Sequence, residues 1–282
     1  MGDLEEIRRA LVRLEEAAGF AQYRRDLGPI ERRLQAKLKA AFRTEGKRYR
    51  ARLDRVAKKW PHGLTDAEEA LELPGFDWLV ILESVQASTR DLYEGPVSAA
   101  HVEAYRRGIR SAAVALKYDL DFDLLNPRAA SYLTGRAAAN VAGIQATTRR
   151  EIARILEKGF AEGWSYSRVA GEISRRYERF AVGVPQEHLR SRAELIAVQE
   201  SAEAYGQGNL DGAREIDAAG IGMEKSWGTA GDPRVDQPCR DNEAAGWIGI
   251  DEAFPTGAQR EPDHIACRCF VRYRRRELEA AA

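Results

Sequence analysis

The chain has 282 residues, of which 44% are hydrophobic and 31% are charged, a composition typical of soluble helical domains with hydrated outer faces. Its 44 acidic residues balance its 44 basic residues, so the net charge is zero and a globally basic surface for nucleic acid is excluded. The length allows one or two domains with their own cores, together with shorter appended segments.

The N-terminal region, residues 1–125, is predicted to consist of helices. Apolar residues recur at intervals of three and four from the first turn onward, which predicts an amphipathic helix that ends at Gly19. Turns are expected at Pro29 and again at Pro96, because proline removes a backbone donor and each of these prolines follows a glycine. The region should end in the link before Pro127, since a residue that precedes proline avoids the helical conformation.

The central region, residues 126–222, has the strongest helical pattern in the chain, including a long helix with an apolar stripe over Leu195–Tyr205. The C-terminal region, residues 223–282, contains many glycines and prolines, which interrupt any helical period. Two short strands are expected there, at Met223–Gly228 and Phe270–Tyr273. The predicted fold is therefore mainly α, with helical N-terminal and central regions and a small C-terminal α+β domain.

All three cysteines of the chain lie in one loop-rich stretch, Trp227–Tyr273. They are Cys239, Cys267 and Cys269, and His264 precedes the second of them by three residues. Three sulfurs and one imidazole form the ligand set of a closed structural zinc site, and thiolates select zinc over magnesium or calcium. The spacing differs from that of common zinc motifs. Packed free thiols, or a disulfide from Cys239 to one of the other two, therefore stay open as alternatives.

The same stretch has a small predicted core, which is why a zinc ion would matter for its folding. Burial of few apolar residues leaves a segment of this size marginally stable against the entropy of its chain. A metal ion that joins the two ends of the segment would add its binding free energy to folding. The predicted core residues are Trp227, Val235, Trp247, Ile248, Ile250, Phe254, Ile265 and Phe270.

Aspartates near His264 suggest a second kind of site. Asp232, Asp236, Asp241 and Asp263 flank this histidine in the sequence, and such a cluster is able to hold a hydrolytic metal for phosphodiester cleavage. Turn formation beside proline explains two of them without catalysis. The sequence contains no nucleophile elbow, phosphate-binding glycine loop or dinucleotide fingerprint, so we assign no catalytic or cofactor-binding residues.

Several elements of the stretch occur in an order typical of one protein family. A tryptophan opens it, an Asp-x-Arg turn and a first cysteine follow, and a Pro-x-His-x-x-Cys-Arg-Cys ending closes it. In this order the stretch resembles the C-terminal domain of phage Mu F-like minor head proteins, also called phage head morphogenesis proteins. The matching residues are Trp227, Asp232, Arg234, Cys239, Pro262, His264, Cys267, Arg268 and Cys269.

The resemblance extends upstream and covers residues 126–273. Ile144–Ile173 is similar to a helical pair of the family, and Arg192–Ala213 is similar to the long helix before the domain. One departure is visible at Val198–Glu200, where the family usually has Arg-Thr-Glu and this chain has Val-Gln-Glu. The glutamate keeps its position in the pattern.

The resemblance implies a structural minor head protein of a tailed phage or prophage, not an enzyme. It implies a virion protein, assembled in the bacterial host cytoplasm, that acts in head assembly near the portal or in the passage of DNA. The implied partners are the portal protein, the major capsid or scaffolding protein, and DNA. No membrane partner is expected, because the apolar runs are too short for a span. Two alternatives remain open: a metal-dependent enzyme acting on nucleic acid, and a bacterial effector part that reuses this domain for delivery.

Overall fold

The structure is a computed structural model, and most of it is helical. A small three-stranded antiparallel sheet lies in the C-terminal region. The predicted mainly α fold is therefore confirmed. The link before Pro127, predicted as the first boundary, falls mostly outside the described residues, and the division into 1–125, 126–222 and 223–282 stays a prediction. The structure describes residues 2–57, 78–118, 127–164, 166–182 and 191–276.

The helices precede the sheet in the chain, except for one short helix between the first two strands. None of the helices in the described ranges has both the length and the apolar composition required to cross a membrane. The helices are α1 (Gly2–Ala57), α2 (Trp78–Thr89), α3 (Asp91–Ala115), α4 (Pro127–Ala161), α5 (Tyr166–Val182), α6 (Arg192–Ala218) and α7 (Gln237–Ala244). The strands are β1 (Met223–Gly228), β2 (Trp247–Gly249) and β3 (Phe270–Arg275).

The predicted breaks at Gly19, Pro29 and Pro96 are wrong, because α1 and α3 run through them. A proline inside a helix removes one backbone hydrogen bond. Around Pro29 this loss is offset by packing, since Leu27 and Ile30 are both buried. Gly19 has a different role. A Cβ atom there would lie 2.7 Å from the ring of Phe270, so this glycine allows the ring to approach α1.

The contacts of the chain form two compact units, and each unit is assembled from segments that are distant in sequence. The first unit comprises Met1–Arg32, Ala99–Leu133 and Val198–Ala282. The second comprises Arg33–Ser98 and Thr134–Ala197. The cysteines and His264 all belong to the first unit, which is therefore the unit that matters for the predicted metal site.

The described part of the second unit consists of helices and has an aromatic core. The ring of Phe42 packs against Tyr93 and Phe180, with ring centroids 5.4 Å apart in both pairs. The buried carboxylate of Glu45 accepts a 2.8 Å hydrogen bond from the hydroxyl of Tyr177. Burial raises the pKa of Glu45, because the charged form loses its hydration.

In the first unit, α3 and α6 cross in direct backbone contact. A Cβ atom at Gly108 would overlap the carbonyl oxygen of Tyr205, and one at Gly208 would overlap the carbonyl oxygen of Tyr105. No residue larger than glycine fits at such a crossing without moving a helix backbone. The glycines of these helices therefore determine how closely α3 and α6 pack.

The sheet also belongs to the first unit and has the order β2-β1-β3, with antiparallel pairing throughout. In the central strand β1, Ser226 pairs with Trp247 of β2, and Trp227 pairs with Val271 of β3. Both predicted strands therefore exist and pair with each other. β2 is not predicted by the sequence pattern, because three residues are too few to show the alternation that marks a strand.

The sheet packs against helices of its own unit rather than forming an isolated core. Trp227 is fully buried and meets Phe254 edge-on, with ring centroids 5.0 Å apart. Leu210 and Ile216 of α6 belong to the same hydrophobic cluster, so the core is larger than the C-terminal region alone provides. Ile265, predicted as a core residue, is instead 64% exposed, because a sharp turn at this point places its neighbours on the inner side.

Candidate metal centre

Three of the predicted ligands come together in the first unit. Cys239 lies on α7, and His264 and Cys267 lie in the loop between β2 and β3. Sγ of Cys239 is 3.2 Å from Nε2 of His264 and 3.8 Å from Sγ of Cys267. The ligand atoms of the three residues all lie within 4.8 Å of one another, close enough to hold one metal ion.

The separation of the two sulfurs matches tetrahedral zinc geometry. Two thiolates at the usual zinc–sulfur length of about 2.3 Å, with a tetrahedral angle between them, lie about 3.8 Å apart. The sulfur atoms of Cys239 and Cys267 lie 3.8 Å apart, which equals this expected separation. It is also far longer than a disulfide bond, and all three cysteines are free thiols in the structure. The structure therefore does not contain the disulfide considered as an alternative.

Cys269 is buried immediately before β3, and its thiol hydrogen-bonds with Cys239 and Cys267. It is not one of the three residues in the close group, so its role as a fourth ligand stays a prediction. Hydrogen bonds from Cys239 and Cys269 to the sulfur of Cys267 lower the pKa of Cys267. The same bonds raise the pKa of the other two thiols. A thiolate shared within this group favours a cation at this point.

His264 is oriented as a metal ligand requires. Its Nδ1 lies 3.0 Å from the carbonyl oxygen of Ile265. A carbonyl only accepts, so Nδ1 carries the hydrogen, and a neutral imidazole then has its lone pair on Nε2. Nε2 of His264 is the atom that faces Sγ of Cys239. Oδ2 of Asp236 lies 3.4 Å from the same nitrogen. Metal-binding histidines commonly donate their other ring hydrogen to a backbone carbonyl in this way.

Two polar residues that no sequence pattern marks as functional hold the loop against the helices. Asn242 of α7 is fully buried and exchanges hydrogen bonds of 3.0 and 3.1 Å with the side chain and backbone of Thr256. Gln199 of α6 accepts a 3.2 Å hydrogen bond from the backbone nitrogen of Ala266, which has a positive φ of 64°. Single polar residues on helices have no sequence spacing that marks them. Gln199 was visible only as a departure from the family pattern.

The four aspartates do not assemble into a metal site. Asp232 accepts hydrogen bonds of 2.8 Å from Arg234 and 2.9 Å from Arg268, and these bonds hold its pKa well below the usual range. Asp241 bonds to Gln237 of its own helix, and Asp263 bonds to Thr256. Asp236 lies 3.4 Å from Nε2 of His264 but is not joined there by the other three aspartates. Among the described residues, the group whose ligand atoms lie close enough together to hold one metal ion consists of two cysteines and a histidine. This donor set suits zinc better than the hard cations that hydrolytic carboxylate sites use.

Glu261 lies in the same loop, and its burial should make the free energy of unfolding depend on pH. Its side chain is fully buried against Gly206 of α6, and burial raises its pKa to about 8. The usual pKa of a glutamate in an unfolded chain is about 4.3, so the folded protein holds this proton more tightly than the unfolded chain does. Its contribution to stability is therefore fully present below about pH 4 and is lost as the pH rises toward 8.

We expect Glu261→Gln to become more stable relative to the unchanged protein as the pH rises. The difference in free energy of unfolding should grow by up to about 1.4 kcal/mol per pH unit between about pH 5 and pH 8, and then level off. Urea denaturation of both proteins across this range measures it. A difference that does not depend on pH would show that Glu261 keeps an ordinary pKa.

Comparison with known proteins agrees with the pattern of the sequence. Residues 150–272 match the model of a family described as Phage Mu protein F like protein. The matched range begins within α4 and ends within β3, and it contains Cys239, His264 and Cys267. Neither the curated proteins nor the solved structures provide a significant match. The family resemblance drawn from the sequence is thus confirmed over residues 150–272, where the chain matches the model of the Phage Mu protein F like family.

Proposed function

We propose that the protein is a structural minor head protein of a tailed phage or prophage. In this proposal it is part of the virion and acts in head assembly near the portal, with a further role in the passage of DNA. The observation that supports the proposal most directly is the family match over residues 150–272. Its partners in this role are the portal protein and the major capsid or scaffolding protein, and they meet the chain in the host cytoplasm during assembly.

Cys239, His264 and Cys267, which together are called the Cys-His group, have a structural role in this proposal. Cys239 and Cys267 are buried in the hydrophobic cluster that contains Trp227 and Phe254. A catalytic zinc site keeps one position open to water or substrate, whereas a structural site is closed by four protein ligands. Zinc held by Cys239, His264, Cys267 and Cys269 would join α7 to the loop before β3 and stabilise their contact.

Co-expression with the portal, scaffolding and major capsid proteins of the same phage or prophage tests the proposal. We expect the chain to co-sediment with assembled heads at a constant ratio to the portal protein, because incorporation through specific contacts is stoichiometric. Gradient centrifugation followed by quantitative mass spectrometry of the head fraction measures this ratio. An unrelated cytosolic protein of similar size, expressed in the same cells, controls for trapping inside heads.

Two outcomes contradict the proposal. In the first, the chain stays in the soluble fraction while complete and infectious heads form without it. In the second, the purified chain with zinc, magnesium or manganese cleaves linear DNA, and Cys267→Ser abolishes the cleavage. That result would replace the structural role with a metal-dependent nuclease.

A further inference from the structure

The two compact units differ in charge. The second unit contains 23 basic and 17 acidic residues, although the chain as a whole is neutral. The part of α1 that belongs to this unit, residues 33–57, has nine basic residues and two acidic ones. This helical segment alone therefore accounts for the excess of positive charge in the second unit.

Most of these basic side chains lie on one side of the helix. At 100° per residue, six exposed basic positions fall within an arc of about 140° around α1. The opposite side is apolar, and Leu38, Phe42 and Tyr49 are fully buried there. Because the apolar side packs into the unit, the basic side faces solvent. The six residues, called the basic face, are Arg33, Lys37, Arg43, Lys47, Arg48 and Arg55.

Carboxylates around the basic face neutralise only part of its charge. Glu178 of α5 pairs with Arg43. Asp54 of α1 pairs with Arg50, which is a basic residue outside the face. Asp91 at the start of α3 is a further exposed carboxylate of this unit. These anions are too few to balance the six cations of the face.

Two of the arginines are held by carbonyl oxygens rather than by carboxylates. Arg48 donates a 2.9 Å hydrogen bond to the carbonyl oxygen of Ser88, and Arg55 donates one of 3.3 Å to the carbonyl oxygen of Ala51 in its own helix. A carbonyl group orients a guanidinium but carries no net charge. Both arginines therefore keep their full positive charge at the surface.

The positions between the basic side chains are small. Ala36, Ala40 and Ala51 are exposed there, and the nearby Gln35 donates to the carboxylate of Glu194. A protein partner is usually held by large anchors, and a membrane-surface helix inserts an apolar side, whereas α1 has buried its apolar side. Alanines also make no hydrogen bonds to the edges of bases. The face therefore suits a polyanion that is contacted through its charges alone.

We propose that the basic face of α1 binds the phosphate backbone of double-stranded DNA without reading its sequence. From Arg33 to Arg55 the helix rises about 33 Å, close to the length of one turn of B-DNA, which is about 34 Å. Basic side chains spread over this length reach several phosphates along one side of a duplex. The choice of DNA among polyanions rests on the proposed function, in which the chain acts in the passage of DNA.

Fluorescence anisotropy of a labelled duplex of about 30 base pairs, titrated with the full chain, measures the binding. We expect a Kd of about 10 µM at about 0.15 M NaCl, with the same value for two duplexes of unrelated sequence. Six phosphate contacts also predict a steep salt dependence. The logarithm of the association constant should fall with the logarithm of the salt concentration with a slope of about −5.

A triple variant locates the binding on α1. Lys37→Gln, Lys47→Gln and Arg55→Gln together remove three charges at exposed positions, and glutamine has a helix propensity close to that of lysine and arginine. We expect binding at least about tenfold weaker at the same salt concentration, and a slope smaller in magnitude by about 3. Circular dichroism should show that the variant is folded.

The matched control removes the same number of exposed basic side chains from the first unit. It combines Arg106→Gln, Arg110→Gln and Arg240→Gln, all of which lie outside the basic face. The net charge of the chain changes equally in the two triple variants. The control should therefore bind DNA within about twofold of the unchanged chain, since local charge and not net charge is responsible.

The inference is overturned if the unchanged chain binds duplex DNA more weakly than about 100 µM, or if the two triple variants lose affinity equally. A change of sequence that alters the Kd more than about tenfold also contradicts it. So does binding that appears only after the acidic residues of the stretch Asp66–Glu72, which follows α1 in the chain, are replaced by their amides. That stretch of the chain itself would then be the occupant of the face.

Incorporation into heads is measured separately, so failure of this inference is distinct from failure of the proposed function. The triple variant of the basic face should still co-sediment with heads at an unchanged ratio to the portal protein. A chain that binds DNA through this face but does not enter heads supports the inference and contradicts the proposed function. A chain that enters heads without binding DNA has the opposite meaning.

Discussion

Protein purified without chelator is expected to contain about one zinc ion per chain, and Cys267→Ser is expected to lose nearly all of it. Cys267 is buried in the group of candidate ligands, with its sulfur 3.8 Å from Sγ of Cys239, and a serine hydroxyl is a poor zinc ligand. Inductively coupled plasma mass spectrometry on dialysed protein measures the ratio. Less than about 0.2 zinc per chain in well-folded protein would mean that the thiols are merely packed.

Two further variants make this test specific. Cys269→Ser tests the fourth ligand, because a site completed by Cys269 should lose affinity while a site completed by water should not. Asp241→Ala is the matched control on α7. The side chain of Asp241 accepts a hydrogen bond from Gln237 and is not one of the candidate metal ligands, so the Asp241→Ala protein should retain zinc. Loss of zinc in Asp241→Ala would instead support a carboxylate site.

Zinc loss should loosen the loop without unfolding the helices. The loop is also held by Asn242 and Gln199, and the core beneath it includes Leu210 and Ile216 of α6. We therefore expect faster hydrogen exchange in the loop between β2 and β3 and an almost unchanged far-ultraviolet circular dichroism spectrum. Complete unfolding on zinc removal would show that the core of the first unit is weaker than its packing indicates.

Gly208→Ala is expected to destabilise the protein by at least about 2 kcal/mol. A Cβ atom at this position overlaps the carbonyl oxygen of Tyr105, and a backbone atom of a packed helix is not able to move aside as a flexible side chain does. The two helices must separate, and the apolar contacts around the crossing are lost. Chemical denaturation, followed by circular dichroism, measures the loss.

Gly143→Ala is the matched control for this substitution. Gly143 is also inside a helix, α4, but a Cβ atom there meets nothing within 4 Å. Alanine has a higher helix propensity than glycine, so Gly143→Ala should stabilise the protein by about 0.5–1 kcal/mol. Equal effects of the two substitutions would contradict the close crossing of α3 and α6.

Much of the candidate site was predictable because its signals are local. The three cysteines and the histidine lie close together in the sequence, and their chemistry alone identifies a ligand set for zinc. The strands at Met223–Gly228 and Phe270–Tyr273 were predicted to pair across the base of the C-terminal domain, and the structure confirms both strands and their pairing. Asn242 and Gln199 could not be predicted, since each acts through hydrogen bonds to a loop residue at no fixed sequence spacing.

The sequence by itself determined the helical fold class, the positions of β1 and β3 and the resemblance to the family, because these depend on residue type and on spacing within a short segment. Only the tertiary structure decided that α1 continues through Pro29, that α3 and α6 meet at glycines, and that Ile265 is exposed. The physical reason is that local preferences amount to about 1 kcal/mol per residue, and packing between distant segments exceeds them.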